Sequence, residues 1–283
     1  MAQLKTQLVR GAGLLVPGAA NALAARVIAS VGFDALEVTG AGIANTYLGV
    51  PDVGIVTATE LTEHVVAIRD AVEIPILVDA DTGFGNVLNV GRTVRQLERA
   101  GADMIQLEDQ TFPKRCGHFD NKSVILQAEM VQKLKAAVDA RQNEQMMILA
   151  RTDARAVEGM NAAIDRAAAY HEAGADVLFI EAPVTAEELA FIPRSVPGVH
   201  FCNMVVGGKT PLIAREELSR MGYAGIFYAN VALQASLLAM QSVLGHLHKH
   251  GTMKGAENLV MSFEDRQKMV GIDKFKDLER RYS

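Results

Sequence analysis

The stretch Pro113-Lys114-Arg115-Cys116-Gly117-His118 sets one thiol among three basic side chains. Positive neighbours favour thiolate over thiol, so this setting suits a cysteine that exchanges protons. The glycine permits a tight turn and close approach to a ligand. Immediately upstream, Met104-Ile105-Gln106-Leu107-Glu108-Asp109 reads as a buried strand ending in two acids. A reactive thiol beside carboxylates points to proton chemistry near a bound cation. Cys116, Lys114 and His118 are therefore candidate catalytic residues, with a surface loop carrying a chance cysteine as the plainer alternative.

More acids stand at Asp79 and Asp81, one residue apart, which on a strand puts both on the same side. Two like-facing carboxylates repel unless a cation lies between them. An all-oxygen set favours a hard ion such as Mg²⁺, with Mn²⁺ as the alternative; Mg²⁺ keeps several waters and is shared with substrate. The competing reading has these acids capping helices or pairing with arginines. Arg151, in Ala150-Arg151-Thr152-Asp153, suits a substrate carboxylate, which guanidinium can hold with two parallel bonds.

What positions these residues is a weak internal repeat. Gly32, Gly101, Gly174 and Gly222 each follow a helical pattern and precede a short apolar run. Glycine is the usual cap after a last helical turn. Repeated helix-to-strand turns mean alternating β and α units around a parallel sheet. Eight strands are expected, at 13–19, 35–40, 75–81, 104–109, 146–153, 177–182, 200–205 and 225–230. Helices are expected between them, among others at 21–31, 60–72, 90–100, 129–141, 162–173 and 215–221. Eight such units predict an α/β fold of the (β/α)8 TIM-barrel type, with a doubly wound open sheet as the alternative. One barrel domain over 1–283 is expected, with a C-terminal helical extension from about 252 to 283. In a barrel the site lies at the C-terminal strand ends, where Thr39, Asp79, Asp81, Glu108, Arg151, Glu181, Asn203 and Asn230 all fall.

Composition narrows the class. The chain has 283 residues, a formal net charge of −5 and 49% hydrophobic residues. Acids and bases are interspersed, without the basic footprint of a nucleic-acid binder. Two distant cysteines, Cys116 and Cys202, make neither a disulfide framework nor a zinc motif and suit a reducing, cytoplasmic setting. No signal-peptide core opens the chain, and no apolar run reaches the roughly 18 residues of a membrane span. His246, His248 and His250 read as a solvated helix end, and Cys202 as a buried small hydrophobe. Gly83-Phe84-Gly85 lacks the third glycine and the acid of a dinucleotide fingerprint.

Taken together, Val78-Asp79-Ala80-Asp81-Thr82-Gly83-Phe84-Gly85, Leu107-Glu108-Asp109-Gln110, the Lys114–His118 stretch and Ala150-Arg151-Thr152-Asp153-Ala154 resemble the isocitrate lyase/phosphoenolpyruvate mutase superfamily. The likeness covers nearly the whole chain and leans toward its 2,3-dimethylmalate and 2-methylisocitrate lyase branch. It implies Mg²⁺ held by Asp79 and Asp81, with Asp52 and Glu108 in a water-mediated shell. It implies that Thr39, Gly40 and Ala41 line the 2-oxo acid end and that Arg151 clamps a carboxylate. Glu181 and Asn203 would contact substrate, and Cys116 and Gly117 would lie on a mobile gating loop. It also implies a last barrel helix exchanged between subunits, usually in homotetramers. The implied reaction cleaves the C2–C3 bond of a 2-hydroxy dicarboxylate to a 2-oxo acid such as pyruvate and a carboxylic acid, with Cys116 as general acid. Oxaloacetate hydrolysis and carboxyphosphonoenolpyruvate- or phosphonopyruvate-type mutation are the alternatives within the superfamily; a barrel that only binds small acids is the non-catalytic one. Two departures bear on substrate. Val206 stands where the lyases commonly carry Glu, and Gln234 where methylisocitrate lyases carry an Arg for a tricarboxylate's distal carboxylate.

Overall fold

The computed structural model describes residues 3–115, 117 and 122–283. Cys116 and His118 lie outside the described residues. Eight parallel strands close into a barrel in chain order: β1 (Leu14–Ala19), β2 (Leu36–Val38), β3 (Ile76–Asp79), β4 (Met104–Glu108), β5 (Met147–Thr152), β6 (Val177–Ile180), β7 (Val199–Asn203) and β8 (Tyr223–Tyr228). β8 returns to pair with β1, which excludes the open sheet.

Helices alternate with the strands: α1 (Gln3–Gln7), α2 (Ala22–Val31), α3 (Gly40–Ile43), α4 (Ala58–Ala71), α5 (Val87–Ala100), α6 (Gln127–Ala140), α7 (Ala154–Val157), α8 (Met160–Glu172), α9 (Ala186–Ser195), α10 (Arg215–Met221) and α11 (Val231–His250). α12 (Phe263–Met269) and α13 (Ile272–Tyr282) follow. The repeated glycines do cap helices: Gly32, Gly101 and Gly222 take left-handed backbone with φ of 96°, 98° and 112°. A Thr57–Glu60 capping box starts α4, and Asn86 starts α5.

Strand alternation sorts the core into two layers. Leu77, Met104, Leu149, Phe179, Phe201 and Phe227 fill the barrel interior. Their neighbours Ile76, Val78, Ile105, Ile148 and Ile180 point outward onto Leu61, Val65, Val94, Leu97 and Leu134 of the helices. Leu4 of α1 and Leu8 just after it join the interior cluster, and Lys5 bonds Glu144 O (3.1 Å) and approaches Asp176 (3.7 Å), both ahead of β5 and β6. α1 therefore plugs the N-terminal end, and the opposite mouth carries the polar residues. α11 buries no residue, and Leu237, Met240, Leu244 and Leu247 lie exposed along it. Among the described residues no helix is long and apolar enough to cross a membrane.

Candidate active site

The C-terminal strand ends enclose a small cavity of about 40 Å³, lined by Thr39, Ala41, Asp52, Asp79, Lys114, Gly117, Arg151, Glu181 and Asn203 among others. At the end of β2, Thr39 caps α3 by accepting from Gly42 N (2.8 Å). Gly40 is pressed against charge: a Cβ there would lie 3.2 Å from Asp81 Oδ1 and Lys114 Nζ, and 3.5 Å from Asp79 Oδ2. These three groups therefore converge above α3.

Asp79 ends β3, and its Oδ1 accepts from Gln106 Nε2 (3.0 Å) and Asp81 N (3.2 Å). Asp81 is not on the strand. Its φ is 49°, the start of a turn in which Gly83, Phe84 and Gly85 also have positive φ. The expectation that strand alternation aligns the two acids is thus corrected: a left-handed turn brings Asp81 back beside Asp79. Lys114 is buried between Asp81 Oδ1 and Asp52 Oδ1, at 2.7 Å from each. Burial would lower the Lys114 pKa, but Asp81, Asp79 and Asp52 outweigh it and hold the ammonium well above its ordinary range. Burial pushes Asp81 up to about 7, against the opposing pull of Lys114 and with help from Asp79.

Arg151 ends up among carboxylates. Nε and Nη2 donate to Asp153 at 2.9 and 3.2 Å, Nε lies 3.2 Å from Glu108 Oε2, and Nη2 lies 3.5 Å from Glu181 Oε2. Phe179 lies beneath it, 5.5 Å from guanidinium carbon to ring centre. One edge of the fork is therefore spent on Asp153, which Lys122 also holds at 2.6 Å. Burial would raise Asp153, but Arg151 and Lys122 prevail and hold its carboxyl low. Gly117 lies directly on this group: a Cβ there would collide with the guanidinium and stand 2.6 Å from Glu181 Cγ. Only glycine allows that approach.

Asp109 does not join the acids of the mouth, contrary to its sequence neighbourhood. It points into the outer layer and accepts from Thr152 Oγ1 (2.6 Å), Tyr170 OH (2.8 Å), Asp153 N (2.9 Å) and Arg166 Nη1 (3.2 Å). The mouth instead recruits Glu37 and Gln106 from strand interiors, and Asn230 from beyond β8. A charged residue inside the apolar run Leu36-Glu37-Val38 was the available signal for the first.

Buried acceptor oxygens without hydrogen bonds gather here: Glu37 Oε2, Asp81 Oδ1, Gln106 Oε1, Glu108 Oε1, Asn203 Oδ1 and Asn230 Oδ1. Asp81 Oδ1 meets Lys114 only as an ion pair, without hydrogen-bond alignment. Each such oxygen costs about 1–3 kcal/mol if left unsatisfied. Burial pushes Glu37 and Glu108 well above the ordinary carboxylate range. An excess of buried oxygen acceptors fits a hydrated hard cation, which supplies charge and water protons together. Asp79 and Asp81, with Asp52 near Asp81 across Lys114, present carboxylate oxygens of the kind such a cation takes; Glu108 lies toward Arg151. Among the described residues no three His, Cys, Asp or Glu side chains are gathered closely enough to bind a metal without such waters or rearrangement.

Comparison with known proteins gives the family. A family model, phosphoenolpyruvate phosphomutase, matches residues 4–248. The 2,3-dimethylmalate lyase of Eubacterium barkeri is 43% identical over 95% of this chain and 93% of its own. The 2-methylisocitrate lyase of Aeropyrum pernix is 41% identical over 95% and 85%. Among solved structures, a 2,3-dimethylmalate lyase superposes with a TM-score of 0.91 at 32% identity, covering 95% of this chain and 90% of that one. Oxaloacetate acetylhydrolase with the inhibitor 3,3-difluorooxalacetate also gives 0.91, at 29% identity over 99% and 94%. Phosphonopyruvate hydrolase with oxalate and Mg²⁺ gives 0.89, at 29% identity over 99% and 97%.

Proposed function

This chain belongs to the phosphoenolpyruvate mutase/isocitrate lyase superfamily, and within it we propose a Mg²⁺-dependent carbon–carbon lyase acting on a 2-hydroxy dicarboxylate of the 2,3-dimethylmalate kind. The observation that carries the reading is the gathering of Asp52, Asp79, Lys114, Arg151, Glu181 and Asn203 around one strand-end cavity, with Gly117 seated against Arg151 and Glu181. Cys116, next to Gly117 in sequence, is the proposed proton donor, which a pure binder of small acids would not need.

The roles follow from the placement. Arg151, fixed on one edge by Asp153, offers its remaining Nη1 and its charge to the carboxylate beside the hydroxyl-bearing carbon. Thr39, Gly40 and Ala41 line the 2-oxo acid end, and Asn203 offers a buried amide to the substrate. Asp79 and Asp81, with Asp52 and Glu108 through water, would hold Mg²⁺ or Mn²⁺. When bound, the cation supplies stabilisation of negative charge on the hydroxyl oxygen and its carboxylate. Glu181 is the candidate base for the hydroxyl proton, since its carboxyl faces Arg151 at 3.5 Å. Breaking C2–C3 leaves the electron pair on C3, next to the second carboxylate. Cys116, as the thiol, would give its proton to that carbon and be left as the thiolate, which the positive charge of Lys114 and His118 would stabilise. A cavity of about 40 Å³ has room for roughly a water, so a dicarboxylate needs a wider mouth than the one Gly117 helps to line.

Gln234 donates to Val206 O (3.3 Å) and brings no positive charge, which favours a dicarboxylate over a tricarboxylate. The exposed stripe of Leu237, Met240, Leu244 and Leu247 on α11 supports exchange of this helix between subunits of a homotetramer. The second reading, hydrolysis of an oxaloacetate-like acid, is favoured by the equal superposition on oxaloacetate acetylhydrolase. Product analysis by NMR separates the two. Alkyl-substituted malates should yield a 2-oxo acid, whereas turnover of oxaloacetate to oxalate and acetate, with the malates untouched, would establish the hydrolase instead.

A further inference from the structure

A larger cavity, about 720 Å³, lies outside the strand-end pocket and shares no lining residue with it. It opens among the first turns of α4, α5 and α6. One wall carries Lys133, which is only 5% exposed. Its ammonium donates to Thr82 O (3.1 Å), and no carboxylate lies within ion-pair distance of it among the described residues. Burial holds this lysine below its ordinary range, with Glu129 one turn back opposing. A buried ammonium with donors to spare is unsatisfied until an acceptor of opposite charge arrives. Arg92 lines the same cavity from α5, and Ile55, Phe84 and Phe112 give it an apolar side.

We propose that this cavity is a second ligand site, taking a small carboxylate that carries an apolar chain, with Lys133 and Arg92 on the carboxylate. Occupancy is wired to the catalytic mouth at two points. Thr82, which Lys133 holds, directly follows Asp81. Gln110, also in the cavity wall, pins Arg115 through two bonds: its Nε2 donates to Arg115 O (2.8 Å) and its Oε1 accepts from Arg115 N (3.0 Å). Arg115 immediately precedes Cys116. This link rests on the catalytic reading of Cys116; ligand binding does not.

Calorimetry on the full chain with hexanoate, and separately with inorganic phosphate, tests the site without any turnover. Saturable hexanoate binding is expected, weakened about tenfold in Lys133→Met, about threefold in the exposed Arg92→Gln, and unchanged in Arg151→Met, in keeping with lost charge-assisted bonds. Arg92→Gln lies on the surface and keeps the test valid if Lys133→Met fails to fold. Absence of saturable binding, binding of phosphate but not hexanoate, or binding lost in Arg151→Met and kept in Lys133→Met would overturn the proposal. Saturating hexanoate should also change the rate of Cys116 alkylation by iodoacetamide at least about threefold, in line with a modest coupling energy. An unchanged rate would overturn the link to the mouth.

Discussion

Gly117→Ala gives the sharpest perturbation of the mouth, because it adds one methyl group and alters no charge. The new Cβ would collide with the Arg151 guanidinium and lie 2.6 Å from Glu181 Cγ and 2.7 Å from Glu181 Cδ, where ordinary contact starts at 3.4 Å. Neither partner can yield easily. Arg151 is held by Asp153 and Glu108, and Glu181 is buried with its Oε1 accepting from Ala182 N (3.0 Å). Gly117 itself must therefore retreat by about 1 Å, which disturbs the proposed donor next to it in sequence, Cys116. A misplacement of that size costs about 10²-fold in rate, equivalent to about 2.7 kcal/mol in the barrier. The assay is kcat/KM for 2-oxo acid release, paired with Mn²⁺ binding by calorimetry. Turnover should fall about 10²-fold while Mn²⁺ affinity stays within about twofold, since Asp79 and Asp81 stand on the β3 side of the mouth. Parental kcat/KM in Gly117→Ala would refute the placement of this segment on Arg151.

Arg151→Lys should lower kcat/KM by at least about tenfold and weaken oxalate binding, because lysine cannot keep the paired bonds to Asp153 while meeting a substrate carboxylate; oxalate binding as tight as the parent's would contradict this. His200 is buried, donates Nε2–H to Val196 O (2.8 Å), and is held below the ordinary histidine value of 6.5 by burial first, with Arg10 and His171 adding. As pH falls below 6.5 the unfolded chain takes up a proton that the folded chain refuses, so this group removes stability on acidification until its folded pKa is reached. His200→Gln should flatten that part of the melting-temperature profile, and an unaltered slope would count against a neutral buried imidazole. Light scattering should find the proposed homotetramer, and Leu237→Glu with Leu244→Glu should split it into smaller species, each leucine being worth about 1.5–3 kcal/mol when covered; a monomeric parent, or a variant of unchanged mass, would rule out α11 as the interface.

Much of the architecture was legible because a barrel repeats its signals. Apolar runs of strand length, four of them preceded by the glycines Gly32, Gly101, Gly174 and Gly222, located all eight strands to within a few residues. The strand-end rule then gathered Thr39, Asp79, Arg151, Glu181 and Asn203. What failed was local geometry at the ends themselves. Asp81 reaches Asp79 through a left-handed turn, which alternation cannot anticipate. Asp109 follows Glu108 yet faces the opposite layer, because successive side chains on a strand diverge. Glu37 and Gln106 escape the strand-end rule because they interrupt apolar strands rather than end them. α1 was not foreseen either: Leu4 and Leu8 gain meaning only from the open barrel end they fill.

The central claim is that the chain breaks C2–C3 and protonates the carbon left behind, and one reaction tests both halves. With Mg²⁺ in D₂O, 2,3-dimethylmalate should give equimolar pyruvate and propionate, the propionate carrying one deuterium at C2. Cys116→Ala should lower that rate by about 10²-fold or more, as loss of a general acid does. No pyruvate from the intact protein, or parental turnover in Cys116→Ala, would contradict the account.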